Sequence, residues 1–181
     1  MILLVCLAVA AATIPVTGGR FAGLGDVDVR AAPVLLVSCV MQVLLFAPWF
    51  PDAIAPAVHL ASYAGTAAFV VANRRLPGML AAAAGGALNL AAIAANGGVM
   101  PAAPAALRLA GLAANPEGFA NSAAVAAPRL AFLGDVFAIP QGLPFANVFS
   151  VGDLILVAGG SYALHRLAGG SLRRRVSVPA S

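Results

Sequence analysis

Two short stretches of this chain place a carboxylate directly after a glycine: Leu133-Gly134-Asp135 and Ser150-Val151-Gly152-Asp153. A pair of carboxylates can divide general acid and general base work, or hold a Mg²⁺ ion between them. A third polar stretch, Asn96-Gly97-Gly98-Val99-Met100-Pro101, follows a run of small and apolar residues interrupted by one amide, Asn89. Asn89, Asn96, Asp135 and Asp153 are therefore the candidate polar site. Each has a structural role to weigh against a chemical one. Ser150-x-x-Asp153 has the form of a capping box, with the Ser150 side chain accepting from the N–H of residue 153 and the Asp153 carboxylate accepting from that of residue 150. The positive end of a helix favours such a carboxylate. Either Asn96 or Gly97 in the left-handed conformation ends a helix, and Pro101 prevents its continuation. Asp135 has no local role of this kind. It sits among Phe132, Leu133, Val136 and Phe137, where an unpaired carboxylate is costly, and Arg129 is its nearest candidate partner.

The remaining reactive residue types form no constellation. His59 and His165 fall at opposite ends of the molecule, and Cys6 and Cys39 lie inside apolar runs that place them nearer opposite membrane faces, too far apart for a disulfide. There is no HExxH, no G-x-S-x-G and no phosphate-binding loop. Neither a metal nor a cofactor is expected.

The elements that must position these groups are set by composition. Hydrophobic residues make up 62% of the 181 residues and charged ones 9%, against about 25% charged in a soluble domain. With a mean hydropathy of +0.99, the chain has too little polar surface to face water and reads as one membrane domain. The pI near 10.0 invites a nucleic-acid reading. It fails, because the arginines (there is no lysine) are scattered between apolar runs rather than clustered on one face.

A helix crossing the hydrocarbon needs about 20 apolar residues. Runs at 1–17, 32–50, 56–72, 77–95 and 148–165 meet that requirement. The first lacks the preceding positive charge of a signal peptide and reads as a retained helix. Arg20, Arg30, Arg74, Arg75, Arg166 and Arg173–Arg175 then fall on one side and only Arg108 and Arg129 on the other. The positive-inside rule makes the first side cytoplasmic, with the 166–181 tail there. The expected fold is thus an all-α integral membrane protein of five transmembrane helices, N-out and C-in, in the cell membrane. Pro33, Pro56 and Pro77 mark helix starts, and Trp49 suits the outer interface. Gly78, Ala82, Gly85, Gly86, Gly159 and Gly160 offer close helix approach. An amide in lipid needs a partner, so Asn89 and Gln42 are expected to face other helices, most simply as an amide pair. The outer segment 96–147 is too apolar and too long for a loop. Short helices there, at 104–114 and 128–140, are expected to lie at the interface or re-enter the bundle.

Asn89, the Asn96-Gly97-Gly98-x-Met100-Pro101 turn, Leu133-Gly134-Asp135 and Ser150-x-Gly152-Asp153, in that order, resemble a bacterial integral membrane family catalogued only as a domain of unknown function. The resemblance implies a polytopic membrane protein and no activity, substrate or cofactor. Two functions remain open. One is a non-enzymatic module, transporter-like or a partner in a larger membrane complex or homo-oligomer, with a polar site at its outer face. The other is a membrane enzyme acting on a lipid-linked or exported substrate at that face through Asp135 and Asp153.

Overall fold

A computed structural model describes residues 2–45, 47, 49–114 and 122–169. Asn115-Pro116, the stop signal that bounds the expected 104–114 helix, and the basic tail beyond residue 169 lie outside the described residues, and the helix itself already ends at Ala110, with Gly111 left-handed at φ 69°. A helix forms at each of the five apolar runs: α1 (Ile2–Ala12), α3 (Ala32–Leu44), α4 (Ala55–Ala72), α5 (Met79–Ala95) and α7 (Val151–Leu167), with a single turn α2 (Ala22–Gly25) after the first. Proline stands in the first turn of α3 and α4, where its missing N–H costs nothing. α5 starts after Gly78 and stops at Asn96, with Gly97 left-handed at φ 70° and the Gly98 N–H returning to Ile93 O at 2.9 Å. Of the two residues open from sequence, Gly97 is the one that turns. Among the described residues only α4 is long and apolar enough by itself to cross a membrane; α3 and α5 are apolar but shorter. Turns lengthen the ends: Thr13 and Thr17 continue α1, and Leu45 N still donates to Met41 O at 3.1 Å beyond α3.

α5 and α7 lie antiparallel along a glycine seam. Gly78 faces Gly159 and Gly85 faces Gly152, so the glycines repeat seven residues apart on both helices. A Cβ on Gly85 would meet the Gly152 carbonyl oxygen and stand 2.6 Å from Leu156 N. Small residues at such spacing let two backbones touch. α3 packs on α4, where Gly65 presses on Ser38, and α1 lies against α7, where Gly160 makes room for Leu7.

The segment between α5 and α7 departs from the all-α expectation. Among its described residues it holds one short helix, α6 (Pro104–Ala110), and one 3₁₀ turn (Ala131–Leu133), but also four short strands. β1 (Met100–Pro101) pairs in parallel with β2 (Ser122–Ala123), and β3 (Phe137–Ile139) pairs antiparallel with β4 (Asn147–Phe149). Residues 128–140 are therefore a turn and a strand, not a re-entrant or interfacial helix. The physical reason is local. Val136, Phe137, Ile139, Val148 and Phe149 suit a pleated surface, the intervening 140–146 stretch is broken by Pro140, Gly142 and Pro144, and the Phe137 and Phe149 rings stack across the strands at 5.4 Å. Ala102, Ala106, Leu107, Ala110 and Val148 form the core of this cap.

Several large apolar side chains of the helices lie outside while polar ones are buried beside the apolar Ile14, Leu45, Ile93 and Leu107. Leu36, Val37, Val43, Val71 and Leu80 are exposed, while Ser38, His59, Ser62, Asn73, Asn89, Ser150 and His165 are buried.

Candidate functional site

The start of α7 makes the expected capping box. Ser150 Oγ accepts from Asp153 N at 3.0 Å, and the Asp153 carboxylate accepts from Ser150 N at 2.9 Å. What the local spacing does not contain is the partner that completes it. Asn89, on α5, donates from Nδ2 to Asp153 Oδ1 at 2.7 Å and accepts from Ser150 Oγ at 2.8 Å. Both carboxylate oxygens of Asp153 and both functions of the Ser150 hydroxyl are thereby engaged. This closed network is possible because the Gly85–Gly152 contact, one turn below Asn89, brings the helices together. Gln42 does not pair with Asn89. It donates to Ser62 Oγ at 3.2 Å, tying α3 to α4, so each amide satisfies itself on the helix packed nearest to it.

Asp135 is buried (3% exposed) and does not pair with Arg129. The Asp135 carboxyl instead accepts from the Ser122 hydroxyl of β2. Its backbone bridges to the residue after β1: Asp135 N donates to Pro101 O at 2.9 Å and Ala103 N donates to Asp135 O at 3.0 Å. Burial pushes its carboxyl up from 3.8 to about 6, the Ser122 hydrogen bond pulls the other way, and the charge of Asp153 adds a further rise. The two glycine-linked aspartates are thus electrostatic neighbours. Tyr63 on α4 lies within electrostatic reach of both, and its ring meets His59 edge-on at 5.4 Å.

Asn96 is engaged elsewhere. Its Nδ2 donates to Ala92 O at 2.7 Å and Arg129 O at 2.8 Å, and its Oδ1 accepts from Arg129 N at 2.9 Å. Asn73, at the end of α4, repeats the arrangement on Arg30: Nδ2 donates to Phe69 O and Arg30 O, and Oδ1 accepts from Arg30 N at 2.9 Å. In both, an asparagine closing a helix bonds the carbonyl four residues back and brackets the backbone of a distant arginine. These amides position chain segments. The neighbouring Gly98 (φ 97°) offers its carbonyl to His59 Nδ1 at 2.8 Å and presses on Pro56.

Of the four site residues, Asn89 and Asp153 are joined directly, Asp135 is their electrostatic neighbour, and the hydrogen bonds of Asn96 all go to backbone. Tyr63, Ser122 and Asn73 had no place in the sequence reading. Asn73 carried a usable signal, since it ends an apolar run just before Arg74 as Asn96 ends one; Tyr63 and Ser122 carried none. His165, at the other end of α7, bonds Ser161 O at 2.9 Å and Thr13 Oγ1 at 3.2 Å, far from this site.

The model of a family of unknown function (DUF5317) matches residues 26–164, most of the chain. No curated protein and no solved structure matches it.

Proposed function

We propose, for a chain that belongs to the DUF5317 family of unknown function, a multi-pass cell-membrane protein. It has five transmembrane helices, N-out and C-in, and serves as a non-enzymatic module, transporter-like or a partner in a membrane complex or homo-oligomer, with its polar site at the outer face. The observation that carries this reading is the exposure of large apolar side chains on the helices while polar ones are buried between them. Leu36 is 65% exposed and Val43 68%, while Ser62 and Ser150 are fully buried. In water that arrangement wastes apolar burial worth about 25 cal/mol per Å²; in a bilayer it is the economical one, since lipid solvates the outside and polar groups must pair within. A module is favoured over an enzyme because both Asp153 oxygens are already bonded, to Asn89 and to Ser150 N, which gives that carboxylate a structural role in joining α5 to the start of α7.

Single cysteines in a background lacking Cys6 and Cys39 test the topology. With a membrane-impermeant thiol reagent on intact cells, Leu143→Cys in the cap should label and Arg74→Cys should not. The reverse pattern would overturn the orientation, and equal labelling of both would overturn the membrane reading.

One observation favours the enzyme reading. A buried carboxyl held near 6 beside a second carboxylate has the character of a general acid, here for a lipid-linked or exported substrate. Purification from native membrane separates the two: a stable stoichiometric partner supports the module, and turnover of a lipid-linked substrate that Asp135→Asn abolishes supports the enzyme.

A further inference from the structure

Asp135 joins three stretches that are distant in sequence. Its backbone is bonded on both sides to Pro101 and Ala103, its carboxyl is bonded to Ser122, and it lies within electrostatic reach of Asp153 at the start of α7. Gly134 beside it has no room for a methyl group, because a Cβ there would meet the Pro101 carbonyl oxygen. The backbone therefore fixes where the carboxyl stands. The titratable groups within electrostatic reach of it are Asp153 from α7 and Tyr63 from α4, with His59 edge-on to the Tyr63 ring and bonded to Gly98. β1 and the residues after it present only Met100, proline and alanine, β2 presents Ser122 and Ala123, and α5 contributes the amides Asn89 and Asn96. Among the described residues no cation pairs with Asp135.

We infer that Asp135 is a protonatable latch on the outer cap: neutral, it closes the 101–103, 122–123 and 134–135 stretches over Tyr63 and Asp153; ionised, it sets a second negative charge beside Asp153 and loosens the cap from the bundle. The inference rests on the proposed outer-face site only for the solution that the latch senses. The sign follows from the direction in which the carboxyl is moved. A group raised from 3.8 to about 6 in the closed state holds its proton there more tightly than when open. Closing is therefore favoured in acid, and that advantage is lost as pH rises from about 4 to about 6. Above 6 both states are ionised and the balance no longer changes. At neutral pH the latch is charged and the cap opens more readily, giving outside solution access to Asp153, Asn89 and Tyr63.

Hydrogen exchange of the full chain in detergent, between pH 4.5 and 7.5 and corrected for intrinsic exchange rates, reads this at the amides of Ala103 and Asp135. The opening constant should climb by up to about tenfold per pH unit and level off above 6, for a total of roughly twentyfold, while amides in the middle of α5 stay unchanged. Asp135→Asn should remove the dependence and keep the cap protected throughout. Asp153→Asn, which deletes the neighbouring charge, should move the plateau to lower pH. Opening independent of pH in the wild type, an unaltered slope in Asp135→Asn, or α5 amides loosening in parallel would each overturn the latch. If Asp135→Asn does not fold, the wild-type titration and Asp153→Asn still decide. A wrong topology shows instead in thiol labelling on cells and leaves this titration untouched.

Discussion

Two adjacent glycines on α5 should respond to the same substitution with opposite signs. Gly85 faces α7, and its replacement by alanine puts a methyl group against the Gly152 carbonyl oxygen and 2.6 Å from Leu156 N, both backbone atoms that cannot rotate away. The helices must part by roughly 1 Å, a forced repacking that costs typically 1–3 kcal/mol. The same movement stretches the 2.7 and 2.8 Å bonds that join Asn89 to Asp153 and Ser150 beyond useful hydrogen-bond length, which loses on the order of 0.6 kcal/mol for each bond if valued as bonds between helices in lipid are. Alanine's better helix propensity returns about 0.5–1 kcal/mol, so Gly85→Ala should be destabilised by a net ~1–3 kcal/mol. A Cβ on Gly86 meets only Leu156 Cδ1, at 4.0 Å. Gly86→Ala therefore keeps the propensity gain without the clash and should be stabilised by up to about 1 kcal/mol. Reversible unfolding in mild detergent, wild type beside each variant, makes the comparison. Equal shifts for the two variants, or a Gly85→Ala protein as stable as wild type, would refute the glycine-seam account of how α5 and α7 meet.

The turn after α5 offers a second pair. Gly97→Ala should cost about 1–2 kcal/mol for a left-handed alanine with open space around it, whereas Gly98→Ala adds a clash with Pro56 at 2.7 Å and should lose more; unfolding midpoints rank them, and an equal loss would leave Pro56 out of the explanation. Ser150→Ala removes the cap and a donor to Asn89, for an expected loss of about 0.5–2 kcal/mol. Combined with Asn89→Ala it should be clearly less than additive, and additive losses would mean the two side chains do not act as one network.

Features set by neighbours within four residues were legible along the chain. The apolar runs located all five long helices, because a run of that length has few other stable forms. The capping box at Ser150 and Asp153 and the stop at Gly97 could be read because donor and acceptor are three or four residues apart. The cap was legible only in its short helix from Pro104. Its strands are two or three residues long, too short for an alternating pattern to register, and β1 and β2 exist only by pairing with each other across more than twenty residues.

Partner identity depended on the tertiary structure. From sequence, Asn89 had to bond something on another helix, and the simplest answer was an amide pair with Gln42; the partners are Ser150 and Asp153. The α5–α7 glycine register, in which Gly78 meets Gly159 and Gly85 meets Gly152, decided between them by fixing which residues lie one turn further along. Asp135 likewise needed a partner, and Arg129 was nearest in the chain. The parallel pairing of β1 with β2 delivered Ser122 instead, while Asn96 took the Arg129 backbone for itself. Sequence alone determined that these polar side chains could not be left unpaired, because desolvation penalises each of them wherever it is buried. Which groups pair depends on distances between segments far apart in the chain, and only packing sets those distances.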